Sequence, residues 1–182
     1  MDLREATSED VEAIRTVAVA SLTASYGHVL SGEVIDAAVD RWYDPDQVAS
    51  DLVDDDSVFV VAVDDGEVVG FAQSYVVDRR DQVGQIDWLH VDPDHRGRGL
   101  GDQLLARVEQ ELVDRGVERL EGRVLADNEA GADFYADHGY DQVGQRDVDI
   151  ADRAFVERLY TKFPPASGGE GQVLVESRQG PE

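Results

Sequence analysis

The feature that most restricts how this sequence can fold is a strand that leads through a glycine-rich turn into a long amphipathic helix. The strand is predicted over 85–91 and stops at Asp92-Pro93, and the helix is predicted to run to about residue 115. The turn carries Gly97, Gly99 and Gly101 at alternate positions. Glycines permit backbone dihedrals that other residues avoid and let a ligand approach the main chain closely. The free N–H groups at the start of the helix would then suit a pyrophosphate.

The spacing of these glycines excludes two common phosphate-binding motifs. No G-x-x-x-x-G-K-[ST] segment occurs, so the turn is not a P-loop. The strand also stands late in a mostly antiparallel order, which does not fit a Rossmann unit. Taken alone, the glycines fit a tight structural turn with no ligand equally well, so the wider sequence has to decide between the two interpretations.

Hydrophobic periodicity and turn residues predict the other elements. A helix begins near the chain start with Ser8 as its N-cap, and one or two helices occupy 31–53, broken near Asp44-Pro45. The remaining predicted strands lie over 3–6, 57–63, 68–77, 118–125, 140–150 and 154–163, and the last predicted helix lies over 128–138.

Composition limits the class of protein. With 182 residues, of which 42% are hydrophobic, we expect one domain with a substantial core. The absence of cysteine excludes disulfides and Cys nucleophiles, and no histidine pair has metal-ligand spacing. No signal peptide is apparent, and no apolar run reaches the ~18–20 residues of a membrane span, so we expect a cytoplasmic protein. We expect 1–163 to form the domain and 164–182 a flexible tail, whose Val173-Leu174-Val175 run alternatively adds an edge strand.

The charge is strongly negative. There are 40 Asp and Glu residues against 16 Lys and Arg, for a net charge of −24, and Lys162 is the single lysine. Such a field repels phosphate backbones, so we expect no nucleic-acid partner. It either attracts cationic substrates or keeps the protein hydrated in a salty cytoplasm, where charge repulsion is screened. Because the acid is spread along the whole chain, the composition resembles that of proteins from halophilic archaea, and we favour the second interpretation.

Two motifs together indicate which protein family the turn resembles. They are, in order, Arg96-x-x-Gly99-x-Gly101 after Val91-x-Pro93, and Asn128 followed by Phe134-Tyr135 and Gly139-Tyr140. With them, residues 2–163 resemble the GNAT superfamily of acyl-CoA-dependent N-acyltransferases. The resemblance implies an α/β (α+β) fold with a central mixed, mostly antiparallel sheet of about six to seven strands. Helices would cover both faces, in the order β-α-α-β-β-β-α-β-α-β-β.

The resemblance also implies that acetyl-CoA is a co-substrate and that no metal is needed. Backbone amides from 97 to 102 would hold its pyrophosphate. The main chain at 89–91 would pair with the pantetheine arm, where two parallel strands splay apart and leave backbone groups unpaired. An amide near Leu89 would polarise the thioester carbonyl. The implied cofactor-binding residues are Leu89, His90, Val91, Arg96, Gly97, Arg98, Gly99, Leu100, Gly101, Asp102, Asn128 and Tyr135.

Two residues are candidates for catalysis. The resemblance implies that Tyr135 protonates the leaving thiolate, and a phenol with a pKa near 10 holds its proton at neutral pH; the alternative is an aromatic ring packed under the sheet. Asp87 is the candidate base, because strand alternation places it on the same face as Gln85 and Leu89, toward the pantetheine path. Its alternative is a solvated strand acid. His90 has a suitable ordinary pKa, but alternation places it on the opposite face.

Asp102 departs from the family pattern, in which this position often carries a small, hydroxyl or basic residue. Its carboxylate would weaken pyrophosphate binding unless the side chain turns away, and Arg96 and Arg98 would offset it. Because Arg98 lies within the loop, we expect Arg98→Ala to weaken acetyl-CoA binding more than Arg96→Ala.

The leading hypothesis is an N-acetyltransferase that moves the acetyl group of acetyl-CoA to a primary amine by direct attack in a ternary complex. The alternative is a non-catalytic acyl-CoA-binding regulatory module. Polyamines, peptide N-termini, small amines and aminoglycoside-like compounds all stay open as acceptors. Dimerisation is common in the superfamily, often through the terminal strands, and we expect a homodimer. The side chains that line the acceptor pocket or else pack the core are Tyr26, His28, Trp42, Tyr43 and Tyr75.

Overall fold

The computed structural model describes residues 1–150 and 153–165. The helices are α1 (Val11–Tyr26), α2 (Gly32–Trp42), α3 (Pro45–Asp51), α4 (Leu100–Asp114) and α5 (Glu129–Asp137). The strands are β1 (Asp2–Glu5), β2 (Ser57–Asp64), β3 (Glu67–Asp78), β4 (Val83–Val91), β5 (Arg119–Leu125), β6 (Asp141–Ile150) and β7 (Arg153–Lys162). The predicted tail lies outside the described residues from position 166 onward, and so does its apolar run.

Local capping explains where the early helices begin. The Asp44 carboxylate accepts hydrogen bonds from two amides in the first turn of α3, and Pro45 occupies the first helical position, where no N–H is needed. At the chain start the prediction of Ser8 as N-cap is wrong. The carboxylate of Asp10 accepts from the Thr7 amide at 2.8 Å, which makes Thr7 the cap of a short 3₁₀ turn that precedes α1. Asp10, three residues after Thr7, completes a capping box with Thr7, and for this reason Thr7 rather than Ser8 is the N-cap.

The seven strands form one sheet in the order β1-β2-β3-β4-β5-β7-β6. Strands β4 and β5 are parallel, and the other neighbouring strands are antiparallel. This confirms the predicted mixed, mostly antiparallel sheet, and the segment 31–53 forms two helices. Strand β7 lies between β5 and β6, so the terminal pair extends the sheet on the β5 side.

Helices cover both faces of the sheet, as predicted, and each face has its own hydrophobic core. Helices α4 and α5 pack on one face, which we call the α4 face, and α1, α2 and α3 pack on the other, the α1 face. Strand β2 serves both cores by alternation: Val60 and Ala62 point to the α4 face, and Phe59 and Val61 to the α1 face. The sheet is thus a buried middle layer that separates the two helical layers.

Strands β4 and β5 separate partway along their length. Among the described residues their pairing ends at Ile86 and Gly122, although β4 continues to Val91 against β3 and β5 continues to Leu125. The two strands therefore form a V-shaped opening, which we call the splay. Its β4 edge carries backbone groups that no neighbouring strand occupies.

The direction of those backbone groups follows from one hydrogen bond. The amide of Asp92, just after β4, donates to the carbonyl of Val69 in β3 at 2.9 Å. Because successive residues of a strand direct their N–H and C=O groups to opposite sides, the amides of Val91 and Leu89 face the splay. The β4 edge of the splay therefore carries two amides that face the opening.

A β-bulge in β4 changes which residues share a face. Gln73 of β3 pairs with Trp88, but the next residue, Ser74, pairs with Ile86, so Asp87 is an extra residue. Ile86 and Leu89 both belong to the core of the α4 face, whereas Trp88 packs on the α1 face. Asp87 forms an ion pair with Arg123, which alternates in β5 with Val124 of the α4 face and so points to the α1 face. The prediction that Asp87 and Leu89 share a face is therefore wrong.

Candidate active site

A cleft of about 660 Å³ opens at the splay. Helices α1 and α2 bound it on one side, the glycine-rich turn, α4 and α5 bound it on the other, and residues 87–91 of β4 and 123–125 of β5 lie between. All but one of the predicted site residues line it, and Arg98 is the exception. The predicted residues that line the cleft are Asp87, Leu89, His90, Val91, Arg96, Gly97, Gly99, Leu100, Gly101, Asp102, Asn128 and Tyr135.

The glycine-rich turn has the geometry of an anion site. Gly97 and Gly99 adopt φ values of +73° and +75°, which side-chain-bearing residues avoid. The first backbone bond within α4 runs from Gln103 to the carbonyl of Gly99, so the three preceding amides have no helical partner. A Cβ on Gly101 would come within 3.2 Å of Phe134, so this glycine allows α5 to approach α4 closely. The turn thus combines amides that have no partner among residues 1–150 and 153–165 with the positive end of a helix dipole.

The two arginines of the turn have different surroundings. The guanidinium of Arg96 donates to Ser21 and Ser25 of α1 and to the carbonyl of Val91 at 3.1–3.3 Å, which fastens the turn to α1 and the end of β4. The Arg98 side chain is 55% exposed, and its guanidinium lies 3.9 Å from Asp64. Arg98 is therefore the arginine whose charge is available to a ligand on the turn.

The carboxylate of Asp102, the residue that departs from the family pattern, is engaged outside the turn. Its Oδ1 lies 3.1 Å from Nε2 of His138, which follows α5. The carboxylate is 62% exposed, so water and the histidine both reduce its repulsion toward an anion bound at the helix start.

We expect Arg98→Ala to weaken acetyl-CoA binding about tenfold, the value of one hydrogen bond to a charged group. Arg96→Ala should instead lower thermal stability, because its four hydrogen bonds hold the walls of the cleft. Titration calorimetry at fixed KCl, with thermal unfolding of both variants, measures the two effects. Equal affinities for the two variants would contradict this assignment.

Tyr135 lies on α5 under the splay and is 7% exposed. Its ring stacks on Tyr160 at 5.5 Å between centroids and meets the edge of Tyr140 at 5.0 Å. It sits directly against β5 at Gly122, where a Cβ would come within 2.6 Å of the ring. Burial, and then the negative charge of Asp87, raise the pKa of the Tyr135 hydroxyl well above its ordinary value, so the group keeps its proton at neutral pH.

Asn128 caps α5 and joins two walls of the cleft. Its Oδ1 accepts from the Gly131 amide at 2.9 Å, and its Nδ2 donates to the hydroxyl of Tyr26 on α1 at 3.1 Å. A Cβ on Gly131 would come within 2.7 Å of the Asn128 amide, so the absence of a side chain there allows the cap. The side chain therefore links α5 to α1 while it lines the cleft.

Asp87 lies at the apex of the splay and is paired with Arg123. These are the first residues beyond the last β4–β5 pair, and their side chains meet at 2.6 Å. The side-chain amide of Gln85 also donates, through Nε2, to the Asp87 carboxylate. Asp87 lines the cleft as predicted, but it does so because the bulge turns it toward Arg123, not because it alternates with Leu89.

His90 points to the α1 face and is enclosed. Its Nδ1 and Nε2 each lie 3.0 Å from a hydroxyl oxygen, those of Ser21 and Tyr43 respectively. Burial, followed by the positive charge of Arg96, lowers the pKa of His90 to about 4. The imidazole is thus neutral at neutral pH and occupied by two partners, which does not favour it as the base.

The five aromatic and histidine side chains proposed for the acceptor pocket divide into three groups. Tyr26 and Trp42 line the cleft. Tyr43 is 1% exposed within the core of the α1 face. Tyr75 and His28 lie elsewhere, Tyr75 beside Gln73 in β3 and His28 exposed after α1.

No role was predicted from the sequence for Arg123 and Trp88, which line the cleft, or for Gly122, which lies outside its lining. Arg123 pairs with Asp87, Gly122 makes room for Tyr135, and Trp88 forms a wall beside Trp42 at 5.4 Å between centroids. Gly122 carried a signal, since an isolated glycine inside a strand often marks close approach of another group. The Asp87–Arg123 ion pair had no signal in the sequence, because the parallel register of β4 and β5 is set by distant parts of the chain.

The described residues contain neither a cluster of metal ligands nor a membrane-spanning helix. No group of three or more His, Asp or Glu residues in them is arranged to hold a metal ion. Among the helices of the described ranges, none has both the length and the apolar character needed to cross a membrane.

Comparison with known proteins identifies relatives in sequence. Residues 18–140 match the model of the acetyltransferase (GNAT) family. An acetyltransferase of Pectobacterium atrosepticum is 34% identical over 103 residues, which are 56% of this chain and 71% of the relative. An acetyltransferase of Yersinia pestis is 32% identical over 120 residues, which are 65% of this chain and 82% of the relative.

Solved structures show the same fold. The PaiA N-acetyltransferase of Thermoplasma acidophilum, solved in complex with coenzyme A, superposes with a TM-score of 0.76 at 22% identity over 90% of this chain and 98% of that one. A GCN5-related N-acetyltransferase of Rhodopseudomonas palustris superposes with a TM-score of 0.73 at 26% identity over 90% of this chain and 95% of that one.

Proposed function

The chain belongs to the GNAT acetyltransferase family, and on that premise we propose that it transfers the acetyl group of acetyl-CoA to a primary amine by direct attack in a ternary complex. One observation carries the proposal: a single cleft brings together a glycine-rich turn at a helix start, a strand edge whose amides face the opening, and a protonated tyrosine. Aminolysis of a thioester needs a stabilised oxyanion and a proton for sulfur, which the strand edge and the tyrosine would supply, and the turn would hold the phosphates of the acyl carrier.

The residues on this cleft fit acetyl-CoA. The free amides at the start of α4 and the guanidinium of Arg98 would hold its pyrophosphate. The amides of Leu89 and Val91 would pair with the pantetheine arm, and one of them would donate to the thioester oxygen as negative charge develops there. The carbonyl of Val91 is already engaged by Arg96, which holds this part of the edge in place.

The proposed reaction joins nitrogen to carbon and releases the thiol. The neutral amine attacks the thioester carbonyl carbon, the tetrahedral oxyanion collapses, and the carbon–sulfur bond breaks. Tyr135 gives its proton to the departing thiolate. The proton that the amine loses passes to Asp87 through water, and Arg123 keeps that carboxylate oriented at the apex.

We also propose the domain extent, location, oligomeric state and salt adaptation of the protein, from its family and its composition. Residues 1–163 form the acetyltransferase domain, and the protein works in the cytoplasm as a homodimer. The excess of acidic residues is an adaptation to high salt, and it weakens the binding of acetyl-CoA. Because acetyl-CoA is itself a polyanion, a chain of net charge −24 repels it, and dissolved salt screens that repulsion.

A CoA-release assay over a panel of amines in KCl tests the function and its salt dependence together. We expect turnover with at least one amine class, and we expect the KM for acetyl-CoA to fall as KCl rises from 0.1 to about 2 M, where the Debye length shortens from about 10 Å to below 3 Å. S-acetylpantetheine, which lacks the phosphates, is the matched control and should show little change in KM.

Two outcomes would contradict these proposals. Acetyl-CoA binding without CoA release toward any amine would favour the non-catalytic module. An equal salt dependence for acetyl-CoA and S-acetylpantetheine would remove screening as the cause, since the control carries no charge for salt to screen.

A further inference from the structure

We infer that the acceptor of this enzyme is a primary monoamine carried on an apolar body, such as an arylalkylamine, and not a polyamine, an aminoglycoside or a peptide. The inference rests on the proposed function and specifies its second substrate. It follows from the half of the cleft that lies on the α1 face, which we call the acceptor half, and from how the carboxylates of the cleft are paired.

The acceptor half is predominantly apolar. Its floor consists of side chains that are less than a tenth exposed, and its walls consist of partly exposed aromatic side chains. The floor residues are Leu30, Ile35 and Ile150, and the wall residues are Tyr26, Trp42 and Trp88. A ring or alkyl chain placed there would exchange water for apolar and aromatic contacts, which gives about 25 cal/mol per Å² of buried apolar surface.

The charge of the cleft suits one amino group, not several. Four carboxylates line it, and two of them are paired with arginines: Asp87 with Arg123 at 2.6 Å and Glu157 with Arg146 at 2.7 Å. A third, Asp102, lies outside the acceptor half at the start of α4, with Oδ1 3.1 Å from Nε2 of His138. Asp149, exposed near the end of β6, has no ion pair within the described residues. A polyamine or an aminoglycoside would bring several ammonium groups into an apolar half that offers them few free carboxylates.

The apex of the splay fixes where the amine must point. Asp87 lies there beside Trp88, whose indole ring forms part of the acceptor wall. An ammonium group that approaches along this wall is attracted by the faces of the tryptophan rings before it reaches the carboxylate. The body of the amine then lies against the wall formed by Trp42 and Trp88, whose rings pack on each other with centroids 5.4 Å apart.

The same lining disfavours a peptide N-terminus. A peptide brings a backbone carbonyl and amide within a few atoms of the reacting nitrogen, and both need hydrogen-bond partners when buried. The polar group at the apex is the Asp87–Arg123 pair, whose two charges already face each other at 2.6 Å. An amine on a hydrocarbon body makes no such demand.

The test compares kcat/KM for four acceptors at fixed KCl: 2-phenylethylamine, spermidine, kanamycin and a short peptide with a free N-terminus. We expect the value for 2-phenylethylamine to exceed each of the others by at least about tenfold. A higher kcat/KM for spermidine, kanamycin or the peptide would overturn the inference and leave the proposed function intact. Failure of all four, together with every other amine of the panel, would instead count against the proposed function.

Variants locate the preference in the structure. Trp42→Ala should lower kcat/KM for 2-phenylethylamine about tenfold, change it less than twofold for ethylamine, and leave the affinity for CoA unchanged. Phe163→Ala, a change of an aromatic that is 71% exposed and outside the cleft, is the matched control and should leave all three values unchanged. Equal losses for both amines in Trp42→Ala would overturn the assignment of the acceptor half; Trp42→Phe replaces this variant if it does not fold.

Discussion

Tyr135→Phe should lower kcat at least about 100-fold, the lower end of what a general acid contributes. The free energy of unfolding should change by less than about 1 kcal/mol, because the Tyr135 hydroxyl makes no hydrogen bond within the described residues and the ring keeps its stacking on Tyr160. The raised pKa of Tyr135 keeps the acid protonated at neutral pH. CoA release and urea unfolding of the same preparation measure both effects.

Tyr140→Phe is the matched control for this experiment. Tyr140 packs against the edge of Tyr135 and loses the same atom on substitution, but its hydroxyl donates to Glu109 at 2.7 Å outside the cleft. We expect it to keep its activity and to lose about 2 kcal/mol of stability, as for a hydrogen bond to a charged group. Full activity in Tyr135→Phe, or equal activity losses in the two variants, would remove Tyr135 from the acid role.

The part of the cleft that depends on contiguous sequence could be predicted. The glycine-rich turn, the strand before it and the helix after it are local features, since Gly97 and Gly99 are needed wherever the backbone turns with positive φ. The parallel pair that splays followed from the family resemblance. The position of Tyr135 under that pair also required the resemblance, because nothing near it in the sequence shows that it packs on Gly122.

The part that depends on register between distant segments could not be predicted. Strand alternation gives the face of a residue only while pairing is regular, and the bulge at Asp87 arises from how β3 pairs with β4. The same limit concealed Arg123, since a parallel neighbour has no fixed sequence separation. The sequence also could not show which aromatic residues face the acceptor. Trp42 and Tyr43 are adjacent at the end of α2, and only the packing of the helix shows that Trp42 faces the cleft and Tyr43 the core.

The largest expected effect on stability comes from His90. Its pKa is about 4 in the folded protein, against 6.5 for an ordinary histidine, because burial and the charge of Arg96 disfavour the imidazolium. Between these two values the unfolded chain binds a proton that the folded chain does not. Stability that is present above pH 6.5 is therefore lost as the pH falls, and the loss is complete below about pH 4. The free energy of unfolding should drop by about 3 kcal/mol over this range from His90 alone.

Urea unfolding between pH 4 and pH 7.5, at constant KCl, measures how the free energy of unfolding changes with pH. The contribution of His90 is the difference in this slope between the parent and a variant that lacks the imidazole. His90→Gln removes the titrating group while an amide remains to meet Ser21 and Tyr43, so its stability should vary less with pH than that of the parent, whatever its absolute value. His28→Gln is the control, because His28 is exposed in the folded protein and should leave the parent slope unchanged. The three proteins carry the same carboxylates, so the comparison isolates the substituted position. A His90→Gln slope equal to the parent slope would show that the buried imidazole is not the group that limits stability in acid.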